Sequence, residues 1–85
     1  MKKIVEEVEG EGLESLLGEK VTLFCANYIY AGKLTGVNTA DVLLSEASIV
    51  YETGSLTEAG FTDAQALPSE WYIRTDAIES YGKMS

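Results

Sequence analysis

The side chains of this chain that could bind a ligand or take part in chemistry fall mainly in two short polar stretches, Asn38–Asp41 and Arg74–Asp76. Each stretch follows a segment whose composition is typical of a β-strand. The Arg74 guanidinium and the Asp41 and Asp76 carboxylates are groups that could bind a charged ligand. Either carboxylate could equally pair with the Arg74 guanidinium as a clamp within the fold, because structural ion pairs also gather at corners.

The usual catalytic arrangements are missing from the sequence. The chain has no histidine, so Ser-His and Cys-His pairs and Cys/His zinc sites are impossible. No glycine-rich phosphate-binding motif occurs, Glu6 and Glu7 lie on a terminal segment, and Thr57–Asp63 lacks the ligand spacing of an EF-hand. Cys25, on an apolar strand face, is more typical of a small buried hydrophobe than of a nucleophile. We therefore predict a protein that is not an enzyme, with no cofactor and no metal.

Composition limits the size and the partners of the fold. Eighty-five residues make one domain with a thin core, and a single cysteine excludes an internal disulfide. Forty-six per cent apolar residues support a folded core, and oligomerisation is the remaining common way to bury more apolar surface. The net charge of −8 has the wrong sign for nonspecific attraction to phosphate, although a local basic site stays possible. No apolar run approaches a membrane span and the N-terminus turns acidic early, so we expect a soluble cytoplasmic protein without a membrane partner.

The N-terminal part of the chain predicts a short helix followed by strands. Within the N-terminal segment 1–12, apolar residues at helical spacing predict a helical turn near residues 2–9, interrupted by glycine. Leu13 to Leu17 carry an apolar stripe and Gly18 suits the position after a helix, so we predict an α-helix over residues 13–18. Three strands are predicted within residues 21–53: Val21–Cys25, Tyr28–Val37 and Asp41–Thr53.

The C-terminal part predicts a long loop and two short strands. Residues Gly54–Ser69 contain the only proline and two acids without a base, which is typical of a solvent-exposed loop, with a helical turn expected around Thr62–Leu67. Trp71–Arg74 and Ala77–Tyr81 are predicted strands, separated by a tight corner within the segment 71–81.

The order of these elements indicates a small bent barrel. Glycines at 32 and 36 within one strand would weaken a flat sheet but allow sharp curvature or close backbone approach. A helix followed by five antiparallel strands with one long excursion is compatible with an Sm-like or an SH3-like barrel. The main alternative is an OB-fold, which usually carries its helix between later strands.

Two motifs, in this order, resemble those of the Sm and Sm-like protein family. The first motif lies on the second strand, the turn and the third strand, at Gly32, Leu34, Gly36, Asn38, Asp41 and Leu44. The second motif lies on the last two strands, at Ile73, Arg74, Thr75, Asp76 and Ile78. The resemblance covers Leu13–Ser80 and implies a mainly β fold: a small, strongly bent, five-stranded antiparallel barrel with a short N-terminal α-helix, forming one Sm-like domain over residues 1–85.

The resemblance also implies a function and a set of contact residues. Sm-like proteins form rings that bind single-stranded RNA or serve as RNA-processing scaffolds, and their two motifs meet at the inner rim of the ring. The corresponding RNA-binding or pore-rim candidates here are Asn38, Thr39, Asp41, Arg74, Thr75 and Asp76. The family's stacking aromatic corresponds to Thr39 or Ala40 and its asparagine to Asp41, so a second hypothesis is an acidic rim that binds a cation, a basic peptide or another protein.

Assembly is expected to proceed through strand edges. By the same resemblance, the fourth strand of one subunit would extend the sheet of the next subunit at its fifth strand until a homo-oligomeric ring closes. The subunit-interface candidates are Trp71, Tyr72, Ile73 and Ile78. Tyr28 and Tyr30 share a strand face with Leu34, so we expect them to cover the barrel or an interface rather than to bind nucleic acid.

Overall fold

The computed structural model describes residues 12–55 and 61–84. The helical turn predicted near residues 2–9 lies outside the described residues. The elements, in chain order, are a first 3₁₀ helix (Gly12–Leu16), β1 (Lys20–Cys25), β2 (Ile29–Val37), β3 (Asp41–Glu52), β4 (Asp63–Ala66), β5 (Trp71–Arg74), a second 3₁₀ helix (Thr75–Ala77) and β6 (Ile78–Lys83).

The described strands form one antiparallel sheet. The hydrogen-bonded order is β4-β3-β2-β1-β6, and β5 pairs with the first half of β3. The prediction of a mainly β, antiparallel fold is confirmed. The prediction of a strongly bent five-stranded barrel is wrong, because the sheet has six strands and does not close: among the described residues β6 pairs only with β1. β5 and β6 are adjacent in sequence, but β5 pairs with β3, whereas β6, after the corner, pairs with β1.

The predicted α-helix over residues 13–18 is wrong in type. The chain forms a 3₁₀ helix of five residues at Gly12–Leu16, and the described residues contain no α-helix. Gly12 and Gly18 have positive φ angles of 75° and 87° and limit the helical segment to little more than one turn. A segment this short cannot repay the cost of nucleating an α-helix, whereas 3₁₀ geometry is common in such short pieces. The role of Gly18 in ending the helix is confirmed.

The predicted loop Gly54–Ser69 contains an additional strand. β4 pairs with the second half of β3, for example Val50 with Ala64, so the helical turn expected around Thr62–Leu67 is wrong. Every residue of β4 is exposed, and its sequence Asp-Ala-Gln-Ala has no β-branched or aromatic residue. The strand is therefore held by backbone pairing to the twelve-residue β3 rather than by its own propensity.

Glycine bends the sheet where the sequence predicted it. The β2–β3 register slips near Gly32, because Ala31 pairs with Ser48 while Lys33 pairs with Ser45. Two residues of β3 thus face one residue of β2, which is a β-bulge. A Cβ atom on Gly32 would lie 2.9 Å from the carbonyl oxygen of Ser45, so any other residue would force the two backbones to shift.

The bent sheet wraps around one small apolar core. Strand alternation sends one face of each long strand inward, and the Leu13–Leu16 side of the first 3₁₀ helix packs against the same core. The core side chains, each no more than 4% exposed, are Val21, Leu23, Leu34, Val42, Leu44, Ala47 and Ile73.

Candidate functional site

The turn between β2 and β3 is closed by two hydrogen bonds between the same two residues. The backbone N–H of Asn38 donates to the carbonyl oxygen of Asp41 across 2.9 Å. The side-chain amide Nδ2 of Asn38 donates to Oδ1 of Asp41 across 3.0 Å. Asn38, Thr39 and Ala40 are exposed and Asp41 is half-buried, so the polar atoms of the turn are open to solvent.

The corner after β5 carries the second group of predicted residues. Arg74 ends β5, and Thr75–Ala77 form the second 3₁₀ helix. The guanidinium NH2 of Arg74 lies 3.3 Å from Oδ2 of Asp76, and these side chains are 80% and 74% exposed. An ion pair this exposed contributes little stability, typically about 0–1 kcal/mol. The local clamp considered from the sequence is therefore present, but it leaves the guanidinium accessible.

The turn and the corner meet at one end of the sheet. The backbone N–H of Thr75 donates to the carbonyl oxygen of Ala40 across 2.9 Å, and Asp41 is the direct cross-strand partner of Arg74. We call this cluster the loop-end cluster: Asn38, Thr39, Ala40, Asp41, Arg74, Thr75 and Asp76. All six predicted rim residues belong to it, although they are separated by more than thirty positions in the sequence.

The loop-end cluster has an excess of negative charge. Asp41 and Asp76 stand on the two sides of Arg74, one across the ladder and one along the chain, so two carboxylates accompany one guanidinium. Asp41 makes no ion pair with Arg74 within 4.0 Å; its carboxylate accepts the Asn38 amide instead. The cluster thus has the Arg74 guanidinium at the corner after β5 and the hydrogen-bonded Asp41 carboxylate at the turn before β3.

One side-chain atom of the cluster is hidden. The Thr75 hydroxyl Oγ1 is shielded from solvent and has no hydrogen-bond partner among the described residues. Leaving a buried hydroxyl unpaired costs about 1–3 kcal/mol. Thr75 therefore contributes its backbone N–H to the cluster rather than a side chain directed at a ligand.

The predicted interface residues divide into two groups. Trp71 and Tyr72 are 36% and 63% exposed on β5. Ile73 is only 4% exposed and belongs to the core, and Ile78 is half-buried against that core. Trp71 and Tyr72 are thus the accessible members of the set.

Backbone geometry decides which amides of the outer strands are free to pair further. The Met84 N–H donates to the Lys20 carbonyl oxygen, and amide directions alternate along an antiparallel strand, so the N–H of Tyr81 points away from β1. By the same alternation, the Thr75–Ala40 bond directs the N–H of Tyr72 away from β3. Among the described residues no strand pairs with these outer sides of β5 and β6.

The sequence interpretation missed Tyr81 as an exposed residue of an outer strand. Its side chain is 42% exposed on β6, which extends to Lys83 instead of ending at Tyr81. Alternation of the residues after Ile78 could have indicated the longer strand, but Gly82 concealed the signal, because glycine is depleted in strands.

Cys25 is half-buried at the end of β1. Burial raises the pKa of its thiol above the ordinary value of 9.0, and the nearby negative charge of Glu79 raises it further. Burial also raises the pKa of the Tyr30 hydroxyl, and the neighbouring Cys25 and Tyr28 raise it further. A thiol whose pKa is raised holds its proton at neutral pH, which is the opposite of what a nucleophilic cysteine requires.

In the described ranges 12–55 and 61–84, no group of three acidic, cysteine or histidine side chains could hold a metal ion. No helix there has the length and apolar character needed to cross a membrane. No model of a known protein family matches the chain, and no curated protein matches it either.

Proposed function

We propose that this chain is an Sm-like subunit of a homo-oligomeric ring, a binding module rather than an enzyme, and that its loop-end cluster lies at the rim and binds single-stranded RNA. The observation that supports this most is the hydrogen bond from the Thr75 N–H to the Ala40 carbonyl oxygen. It joins the two segments that resemble the two Sm motifs, which is the arrangement that the resemblance implies for an RNA-contacting rim.

Open strand edges support assembly. The outer sides of β5 and β6 are unpaired among the described residues, and unpaired edges are templates for strand addition. Trp71, Tyr72 and Tyr81 expose aromatic surface along these two strands, and aromatic residues are enriched in protein interfaces. Pairing β5 of one subunit with β6 of the next joins two different surfaces, so a rotation that closes gives a ring.

A proline substitution tests this mode of assembly. Tyr81→Pro removes only an outward N–H from the ladder, which an outer strand tolerates, and it blocks further pairing. Tyr81→Ala is the matched control, because it removes the same side chain and keeps the N–H. Sedimentation velocity should show a greater loss of assembly for Tyr81→Pro than for Tyr81→Ala. Equal assembly of both variants, each with a wild-type circular dichroism spectrum, would contradict pairing at β6.

The RNA proposal depends on Arg74 and Asn38. The exposed Arg74 guanidinium can stack on a base or contact phosphate, and the Asn38 amide keeps one N–H and its carbonyl oxygen for a base edge after bonding Asp41. The cluster has no aromatic side chain, so each base loses the stacking contribution of about 1–3 kcal/mol that such a residue provides. We therefore expect weak binding at each subunit, strengthened by repetition around the ring.

Fluorescence anisotropy with a labelled oligo-uridine tests the RNA proposal. Arg74→Ala should weaken binding about tenfold, which corresponds to the loss of one good charged contact. Lys83→Ala is the matched control, since it also removes one exposed cation from an ion pair, the one with Glu19. Equal affinities of wild type and Arg74→Ala would overturn the assignment of the rim as the RNA site.

A second candidate function is supported by the charge of the cluster. Two carboxylates, Asp41 and Asp76, accompany the single Arg74, and a ring would repeat this excess in every subunit. Such a rim suits a basic peptide or protein partner better than a polyanion. Anisotropy with a labelled oligo-lysine peptide separates the candidates: binding that is lost in Asp76→Asn, together with no RNA binding by the wild type, would favour the protein scaffold.

A further inference from the structure

Two lysines lie side by side on the outer face of the sheet. Lys20 of β1 and Lys33 of β2 are direct cross-strand partners, and both are exposed. Residues directly opposite in an antiparallel pair have Cβ atoms about 4.5–5.5 Å apart, and like charges in this position are destabilising. Among the described residues neither lysine has an acidic partner within 4.0 Å. This arrangement occurs in a chain with fourteen acidic residues and only six basic ones.

The two lysines border a pocket. A cavity of about 170 Å³ is lined by Lys20 and Lys33 together with the half-buried Phe61 and Met84. Buried Gly32 also lines it. The lining of the pocket therefore combines two positive charges with aromatic and apolar side chains. Its volume is below the roughly 300 Å³ of pockets that enclose a drug-sized ligand, so a nucleotide bound here would be only partly enclosed.

Glu46 lines the same pocket and sets its charge balance. Glu46 has a positive φ of 50°, an uncommon conformation for a residue other than glycine, and it lies in the bulge of β3 opposite Gly32. Two lysines and one glutamate give the lining a net charge of +1. A monoanionic or dianionic group near the lysines would relieve their mutual repulsion.

We propose that this pocket binds a nucleotide phosphate, with the Lys20 and Lys33 ammonium groups donating to the phosphate and the base packing against Phe61. The site is distinct from the loop-end cluster, since Lys33 lies four residues before the end of β2, roughly 13 Å along an extended strand. The same chemistry could come from a free mononucleotide or from one nucleotide of an RNA strand. The proposal does not depend on the rim or on ring formation.

Isothermal titration calorimetry with adenosine monophosphate at low salt tests the proposal. Lys20→Ala and Lys33→Ala should each weaken binding about tenfold, because each loses one charged hydrogen bond to the phosphate. Both residues are exposed and removing one relieves repulsion, so these variants should fold as well as the wild type. Glu46→Gln should tighten binding, because it raises the charge of the pocket from +1 to +2.

Controls separate the pocket from general electrostatics and from the rim. Lys83→Ala removes an equal charge, that of a lysine paired with Glu19, and should leave the affinity unchanged. Arg74→Ala should also leave it unchanged, even if RNA binding at the rim is lost. Adenosine, which has no phosphate, should bind at least tenfold more weakly. A further oligo-uridine titration of Lys33→Ala identifies the source: weakened binding indicates a nucleotide within a strand, and unchanged binding indicates a free nucleotide.

No binding of adenosine monophosphate to the wild type would overturn the proposal. So would an equal loss of affinity in Lys83→Ala and Lys33→Ala, since that result would show only a nonspecific response to net charge.

Discussion

The backbone N–H of Thr75 donates a hydrogen bond to the carbonyl oxygen of Ala40 across 2.9 Å. This bond links the end of β5 to the start of β3 and continues the ladder in which Asp41 pairs with Arg74. Because it is a backbone contact, it does not depend on which side chains occupy the turn. The two segments of the loop-end cluster can therefore stay together when the side chains of the turn are substituted.

Gly32→Ala should destabilise the protein by about 1–3 kcal/mol, because the added Cβ would lie 2.9 Å from the Ser45 carbonyl oxygen and 3.0 Å from the Ala47 Cα. Both neighbours are backbone atoms and cannot move aside without opening the bulge. Urea unfolding at fixed protein concentration measures the change. Gly82→Ala is the control, since no atom lies within 4 Å of its added Cβ; a similar loss in both variants would refute the close-approach argument.

Asn38→Ala should lower the free energy of unfolding by about 0.5–1.5 kcal/mol, because it removes the side-chain amide that donates to Asp41. Thermal unfolding followed by circular dichroism measures the loss. Thr39→Ala, at the neighbouring exposed position of the same turn, should change stability less. If the two variants were equally stable, the Asn38–Asp41 hydrogen bond would contribute nothing to the turn.

Arg74→Ala should change the free energy of unfolding by less than about 1 kcal/mol, because its ion pair with Asp76 is largely exposed and screened. Chemical denaturation of the variant gives this value. A much larger loss would mean that Arg74 acts as a structural clamp, and the RNA experiment with this variant would then need the charge-preserving Arg74→Lys in its place.

Cys25 should react slowly with a thiol reagent at neutral pH, because burial and Glu79 raise its pKa. The rate should increase as the pH rises through 9.0 and beyond, and Glu79→Gln should shift this profile to lower pH. The same shift of the pKa makes the folded protein less stable at high pH. Below pH 9.0 the Cys25 thiol is protonated in both the folded and the unfolded chain. Above pH 9.0 the thiol of the unfolded chain ionises first, so the free energy of unfolding falls as the pH rises. A profile unchanged in Glu79→Gln would show that burial alone causes the shift.

Sequence patterns predicted the strands that bury side chains. β1, β2, β3 and β5 alternate or carry apolar runs, and the bend at Gly32 followed from a glycine inside a strand. The sequence also predicted that the residues of the loop-end cluster lie at the ends of these strands. These features depend on local periodicity and backbone sterics, which the sequence contains directly.

The features that the sequence did not predict depend on long-range backbone pairing. β4 has no burial pattern, and it exists because the second half of β3 offers a free edge. The sheet is open because β5 pairs with β3, whereas β6 pairs with β1. The juxtaposition of Lys20 and Lys33 required the register of β1 against β2, since the two residues are thirteen positions apart.

Native mass spectrometry of the wild-type protein, with and without a short oligo-uridine, tests the central claim most directly. The claim predicts one closed oligomer, a single integer multiple of the 9.2 kDa chain, that gains the mass of one RNA. A closed oligomer that ignores RNA would keep the ring and favour the protein-binding alternative. A monomer at micromolar concentration would contradict the Sm-like ring.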